Sequence, residues 1–195
     1  MNVEHDLVRA YFEANWFWVR SSKKILANYK KSVLPLFEIF NSSNTATSSD
    51  ISFRLFTGDL TRIRKACICL LGWEDSAFSN ELLSSDAKLI KFFRKEVDSQ
   101  RIEASCSQML NPTKENFLIL VVPALPKAES KSIELFDSLK ESGVCGVITL
   151  SSILENLLRK TSANIETNDN SAYHLLRLLK AYGLATEPQL DIFVK

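Results

Sequence analysis

The chain has 195 residues, 46% of them hydrophobic, and a formal charge of +1. This length and composition suffice for one good core, so we expect a single α/β domain over residues 1–195. The charge is uneven: residues 1–73 hold ten Lys or Arg against six Asp or Glu, a difference of +4, and residues 74–195 hold fourteen against seventeen, a difference of −3. A basic first part on a nearly neutral whole permits a local nucleic-acid contact without requiring one, and an ordinary solvated surface is the simpler interpretation.

Several function classes lack their sequence signatures. The five glycines do not form a phosphate-binding loop, no G-x-S-x-G elbow is present, and His5 and His174 are the two histidines. The four cysteines include no Cys-x-x-Cys and indicate reduced thiols. The longest apolar run, residues 117–125, is too short to span a bilayer. We therefore expect a cytoplasmic protein with no membrane partner.

The first forty residues predict a helix followed by a hairpin. Apolar residues at helical spacing predict a helix over residues 4–15. Alternation then predicts a strand over 16–26, with Trp16, Trp18 and Arg20 on one face, a turn over 27–32 and a second strand over 33–40.

The next segment leads into an apolar strand. Residues 41–50 form a polar surface loop, and residues 51–56 predict a short strand. Asp59 is a natural N-cap for a short helix over 60–67. The unbroken apolarity of residues 66–73 predicts a strand buried on both faces at the centre of a sheet.

The second half reads as alternating helices and strands. Helices are predicted over 85–97 and 130–142, and strands over 117–122 and 144–150, with the lengths that a parallel crossover requires. Ser151 or Ser152 caps a further helix to Lys160. Ser171 caps the last helix, which ends near Gly183. The order predicts an α/β fold with a mixed central sheet flanked by helices on both faces.

Two acids are candidates for metal-assisted phosphodiester hydrolysis. That chemistry needs clustered carboxylates to hold a divalent cation, and a lysine beside the water or phosphate. Glu4 on the first helix and Glu38 on the second strand are the candidate catalytic residues, with Glu38 as the candidate metal ligand. The simpler interpretation of Glu38 is a solvent-facing residue of an alternating strand.

A basic, aromatic hairpin is the candidate nucleic-acid contact. Such a surface can follow a phosphate backbone and stack on bases. Its aromatic residues, among them Trp16 and Trp18, are more often part of a core. The candidate nucleic-acid-binding residues are Lys23, Lys24, Lys30, Lys31, Arg62 and Arg64.

The chain resembles restriction-endonuclease-like (PD-(D/E)XK) proteins, and within them an uncharacterised bacterial group. The resemblance rests on short stretches spread over most of the chain: residues 6–13 (DLVRAYFE), 17–20 (FWVR), 62–66 (RIRKA) leading to 72–73 (GW), 122–126 (VPALP) and 175–182 (LLRLLKAY). It implies a nuclease-like core over residues 1–100, with a strand-helix-strand-helix extension and C-terminal helix over residues 101–195.

The resemblance also implies a degenerate metal site. In that superfamily an acid on the first helix, an aspartate on the second strand and an acid-x-lysine on the third strand hold the metal. Glu4 corresponds to the helix acid, and Glu38 is the acid that the second strand offers. The acid-x-lysine falls near Cys69 and Leu71, neither of which can replace those groups.

Three functions therefore remain open. The first is a catalytically degenerate nuclease fold that binds nucleic acid or a partner subunit. The second is an active nuclease that uses Mg²⁺ with Glu4, Glu38 and Asp59, together with a lysine of the hairpin, in a rearranged site. The third is a protein-interaction module, such as a homodimer formed through the apolar helix at residues 173–182.

Overall fold

Five strands form one mixed sheet in the computed structural model, which describes residues 3–21, 36–44, 46–48, 50–73, 78–97, 117–161 and 171–185. The strands are β1 (Trp18–Ser21), β2 (Leu36–Phe40), β3 (Lys65–Leu70), β4 (Leu118–Val122) and β5 (Gly146–Thr149). The helices are α1 (Val3–Ala14), a 3-10 helix (Thr57–Arg62), α2 (Asn80–Leu83), α3 (Asp86–Glu96), α4 (Glu129–Glu141), α5 (Leu150–Lys160) and α6 (Ser171–Ala181).

The sheet has an antiparallel half and a parallel half that share β3. Spatial order follows chain order, β1-β2-β3-β4-β5. The β1–β2 and β2–β3 pairs are antiparallel, and the β3–β4 and β4–β5 pairs are parallel. The predicted mixed sheet and the predicted parallel crossover, here β4–α4–β5, are both confirmed.

Helices pack on both sides of the sheet. One core joins Ile68 and Val121 to α1, α5 and α6, and the other joins Cys69 and Leu120 to α3 and α4. Because alternate residues of a strand point to opposite faces, β3 supplies both cores, and its residues from Ala66 to Leu70 are fully buried. The central apolar strand expected over residues 66–73 is therefore confirmed as β3 (Lys65–Leu70), with a paired strand on each side.

Two lysines link α1, α5 and α6, the three helices that pack on one face of the sheet. Lys160 of α5 donates from Nζ to Ala14 O at 2.6 Å and to Asn15 Oδ1 at 2.7 Å, at the end of α1. Lys180 of α6 donates to Thr161 O at 2.7 Å, just beyond α5. Each ammonium thus meets carbonyls at a helix C-terminus, where a positive charge is favourable. Burial lowers the pKa of Lys160.

The predicted strand over residues 51–56 is wrong in extent. The segment makes one isolated parallel bridge, between Arg54 and Val147 of β5. Val147 N donates to Phe53 O at 2.7 Å, and Leu55 N donates to Val147 O at 2.8 Å. Leu55 packs so closely over Gly146 that a Cβ there would lie 2.7 Å from Leu55 Cδ1.

Two predicted helix starts are also wrong. The helix expected over residues 60–67 is instead the 3-10 helix Thr57–Arg62. Asp59 lies within its first turn and not before its start, and Asp59 Oδ2 accepts from Phe56 N at 2.9 Å. The cap of α5 is Thr149, not Ser151 or Ser152, since Thr149 Oγ1 accepts from Ser152 N at 3.2 Å. In α5 the capping side chain thus comes earlier than expected, whereas in the 3-10 helix the expected residue, Asp59, bonds the N–H of the residue before the helix.

The remaining predicted elements lie close to their expected positions. The helices and strands expected from residues 85, 117, 130, 144 and 171 onward correspond to α3, β4, α4, β5 and α6. The predicted turn at residues 27–32 lies outside the described residues. Among the described residues, none of the helices combines the length and apolarity needed to cross a membrane.

Candidate nucleic-acid interface

An exposed aromatic surface lies on the antiparallel half of the sheet. We define the aromatic surface as Trp16, Trp18, Arg20, Phe40 and Arg64. Trp18 and Phe40 are directly opposite each other on β1 and β2, and Trp18 is 75% exposed. Directly opposed residues of antiparallel strands point to the same face, so the two rings share one side of the sheet. The expectation that Trp16 and Trp18 belong to the core is therefore wrong.

The aromatic surface is open because α3 and α4 lie over the other half of the same face. Cys67 of β3 is the neighbour of Glu38 on that face, and it is fully buried in the core that includes α3 and α4. On β1 and β2, by contrast, Arg20 and Phe40 reach solvent. One sheet face thus changes from covered to open between β3 and β1.

Trp16 is held in an unusual backbone conformation at the end of α1. Its φ is +67°, in the left-handed region that favours glycine, and its side chain is 84% exposed. Trp16 N donates to Glu13 O at 3.1 Å and Phe17 N donates to Phe12 O at 3.0 Å, the bond pattern of a Schellman motif. A tryptophan therefore occupies the position where a glycine carries no steric penalty.

A shallow cavity lies beside the two tryptophans. It has a volume of about 510 Å³, and Arg9, Glu13, Trp16, Trp18 and Ser42 are among its lining residues. Arg9 Nε is 2.7 Å from Glu13 Oε1, so one turn of α1 presents an ion pair to this cavity. The cavity extends the aromatic surface onto the end of α1.

Arginines surround the aromatic residues. The Arg64 guanidinium lies 5.8 Å from the Phe40 ring centroid, in a cation–π arrangement. Arg62, the other arginine predicted here, donates from Nη1 to Asp50 O at 2.9 Å and braces the loop that precedes the 3-10 helix. The predicted lysines lie outside the described residues: Lys23, Lys24, Lys30 and Lys31.

Glu38 forms ion pairs between strands. Its carboxylate lies 2.8 Å from Lys65 Nζ and 3.8 Å from Arg20 Nη1, and its side chain is 12% exposed. Arg20 and Glu38 are directly opposite each other on β1 and β2. Lys65, which is not among the predicted site residues, lies diagonal to Glu38 because it is two residues before Cys67, the residue paired with Glu38.

Glu4 contacts the segment that follows β3. Its side chain is nearly buried, and Glu4 Oε1 accepts from Trp73 N at 2.8 Å. Any side chain at Gly72 would overlap the Glu4 carboxylate. The glycine therefore allows the helix acid to approach the strand end, and the carboxylate takes up a backbone donor there.

The donor groups do not fit a magnesium ion. Mg²⁺ needs several oxygen ligands around one point, whereas Glu38 faces an ammonium and Glu4 accepts from a backbone N–H. Cys69 and Leu71, at the expected acid-x-lysine, are buried in the core. In the part of the chain that the structure describes, no three His, Cys, Asp or Glu side chains group so as to hold a metal ion.

Comparison with known proteins adds no relative. No family model, curated protein or solved structure matches the chain.

Proposed function

We propose that this chain is a restriction-endonuclease-like protein with a degenerate metal site, and that it binds nucleic acid through the aromatic surface. The observation that carries the binding proposal is the exposed pair of Trp18 and Phe40, flanked by Arg20 and Arg64. On this proposal residues 1–100 form the nuclease-like core and residues 101–195 the C-terminal extension.

The order of elements supports the proposed ancestry. A helix, α1, precedes three consecutive antiparallel strands, and the two acids that the resemblance assigns lie on α1 and β2. The third strand, β3, holds apolar residues where that resemblance requires an acid and a lysine. The order of elements supports the proposal, but α1 packs on the sheet face opposite to the Glu38 side chain, so this support does not extend to a shared metal site.

The physical case for binding rests on stacking and charge. A base stacked on an aromatic side chain contributes about 1–3 kcal/mol, independent of sequence, because every base offers a π face. Arginines beside the rings can pair with phosphates, which makes binding dependent on salt. An exposed strand surface with both groups suits a single strand whose bases are free to stack.

The first experiment measures binding of a fluorescently labelled single-stranded oligonucleotide by anisotropy at several salt concentrations. We expect Trp18→Ala to weaken binding about tenfold, the loss of one stacking contact. Tyr182→Ala is the matched control, because Tyr182 is 77% exposed but lies beyond the end of α6. Absence of binding at low salt, or equal losses for the two variants, would exclude the aromatic surface as the interface.

The second experiment tests the lost chemistry. We expect no cleavage of single- or double-stranded DNA or RNA when Mg²⁺ or Mn²⁺ is added, since the carboxylates are engaged elsewhere. Robust cleavage that Glu38→Ala abolishes would establish the alternative, an active nuclease with a rearranged site.

Protein association is a second candidate function. Leu175 and Leu178 on α6 and Tyr182 directly after it are at least half exposed and recur at helical spacing. Such a stripe on a helix suits an antiparallel contact with a second copy of the chain. Sedimentation equilibrium tests this: a dimer that Leu178→Lys converts to monomer supports it, and a wild-type monomer at high concentration rejects it.

A further inference from the structure

A groove lies where β4 and β5 end. The aromatic surface lies on β1 and β2, at the other edge of the five-stranded sheet. The groove has a volume of about 830 Å³, and its walls are residues 123–127, the segment 54–58 and the side of α5 that carries Ser151 to Arg159. The chain leaves β4 for α4, which packs on one face of the sheet, and leaves β5 for α5, which packs on the other. A crevice between two parallel strands whose connections diverge in this way is a common position for ligands in open α/β sheets.

The groove carries a net positive charge. Arg54, Lys127 and Arg159 line it together with one acid, Glu155, which leaves a difference of +2. Glu155 Oε1 accepts from Ser151 Oγ at 3.1 Å, so its carboxylate is engaged within α5. These residues come from three separate parts of the chain, and the fold brings their charges to one crevice.

The wall that carries Lys127 is held in place by α3 and α4. Asp86 accepts from Lys127 N at 3.1 Å and from Ala128 N at 3.0 Å, and these two bonds hold the pKa of Asp86 below its usual value. Ser132 Oγ donates to Pro126 O at 2.9 Å. The backbone at residues 126–128 is therefore fixed before any ligand arrives, which lowers the entropy lost on binding.

One aromatic ring completes the groove. Phe56 is 52% exposed and lines the same crevice, with the Arg54 guanidinium 5.3 Å from its ring centroid. The ring offers a stacking face, and the three cations offer partners for anionic oxygens. A ligand that satisfies both has an aromatic ring at one end and a phosphate at the other, and the volume lies in the range of small-molecule sites.

We propose that this groove binds a nucleoside phosphate, with its base against Phe56 and its phosphate between Lys127 and Arg159. This site is separate from the aromatic surface and goes beyond the proposed nucleic-acid binding. The same chemistry is offered by a free nucleotide and by the phosphorylated 5′ end of an oligonucleotide.

Isothermal titration calorimetry of the full chain with ADP tests the proposal. We expect ADP to bind and adenosine to bind at least tenfold more weakly, because adenosine lacks the phosphates that charged hydrogen bonds hold. Arg159→Ala and Lys127→Ala should each weaken ADP binding about tenfold. Phe56→Ala should weaken ADP binding and leave binding of inorganic phosphate unchanged. The control Lys91→Ala removes an exposed positive charge from α3, outside the groove lining.

Two further arms identify the source of the phosphate and separate the two proposals. Tighter binding of a 5′-phosphorylated dinucleotide than of ADP assigns the site to nucleic-acid ends, and the reverse order assigns it to free nucleotides. Trp18→Ala should leave ADP affinity unchanged, so the groove and the aromatic surface can fail independently. No heat with ADP at low salt, or equal effects of Arg159→Ala and Lys91→Ala, would overturn the proposal.

Discussion

The two halves of the sheet offer binding surfaces in different ways. The antiparallel half leaves one face open over β1 and β2, and its exposed side chains lie along the strands. The parallel half is buried in the cores on both faces, and its groove opens where β4 and β5 end. The difference shows that strand direction influences the kind of site: helical crossovers cover a parallel sheet, whereas a hairpin needs no helix on its surface.

The largest expected effect comes from placing charge in β3, the strand that the halves share. Cys69→Glu should cost at least about 4 kcal/mol of unfolding free energy, because the carboxylate would be buried without a partner. Cys69→Val, a change of similar volume, should cost less than about 1.5 kcal/mol. Urea denaturation measures both. A folded double variant, Cys69→Glu with Leu71→Lys, that cleaves DNA with Mg²⁺ would show that β3 tolerates a site after all.

The next largest effect is a loss of stability at high pH, and it concerns Tyr11 in the core between α1 and the sheet. Burial raises the pKa of Tyr11 on α1 to about 12 from 10.0, despite its 3.3 Å hydrogen bond to Thr57 Oγ1. The folded state therefore holds the phenol proton more tightly than the unfolded state. This stability is complete below pH 10 and is lost as the pH rises from 10 to 12, by about 3 kcal/mol.

Tyr11→Phe is the comparison for that titration. The variant should lose about 1 kcal/mol at neutral pH with its hydrogen bond and should lack the Tyr11 share of the alkaline decline. Denaturation midpoints across the alkaline range measure the difference between the two proteins. Equal slopes for both would mean that Tyr11 ionises as readily in the folded state as in the unfolded one.

Trp16 offers a test in which stability and binding move in opposite directions. Trp16→Gly should raise the unfolding free energy by about 1 kcal/mol, because glycine adopts positive φ without strain. The same change should weaken oligonucleotide binding about threefold to tenfold through loss of one stacking face. Thermal denaturation and anisotropy measure the two effects. A decrease in both stability and affinity would contradict the role of Trp16 as an exposed binding residue.

The smallest effect concerns Glu38. Its partners Lys65 and Arg20 are 43% and 81% exposed, so solvent screens the pairs and Glu38→Gln should change stability by less than about 1 kcal/mol. Removing this negative charge from beside the aromatic surface should strengthen oligonucleotide binding, by about fivefold or less. Weaker binding, or loss of a metal-dependent activity, would instead indicate a direct role for Glu38.

The sequence predicts the sheet well because its strands are marked by their own residues. The apolar runs at β3, β4 and β5 leave no alternative to burial, and the Gly143 turn separates α4 from β5 at φ +84°. Helix starts are harder to predict, since Thr149 competes with the serines two and three residues later, Ser151 and Ser152. Local propensity does not decide which of several adjacent hydroxyls will cap a helix.

The binding surfaces were harder to predict than the sheet. Whether Trp18 is core or exposed depends on where α3 and α4 end over the sheet, which no local pattern encodes. The groove joins Arg54, Lys127 and Arg159, which are about a hundred residues apart from first to last. Pro123 and Pro126 follow β4 directly, so the sequence marks the end of this parallel strand but not the residues that join it in the groove.

The single bridge between Arg54 and Val147 has a consequence for aggregation. An exposed edge strand is a template for pairing with another chain, and here both backbone groups of Val147 are already bonded to the segment 53–55. That protection depends on Leu55 lying against a residue without a side chain, Gly146. A larger residue at position 146 would displace the segment 53–55 and expose this edge of β5. Such a variant should therefore aggregate more readily.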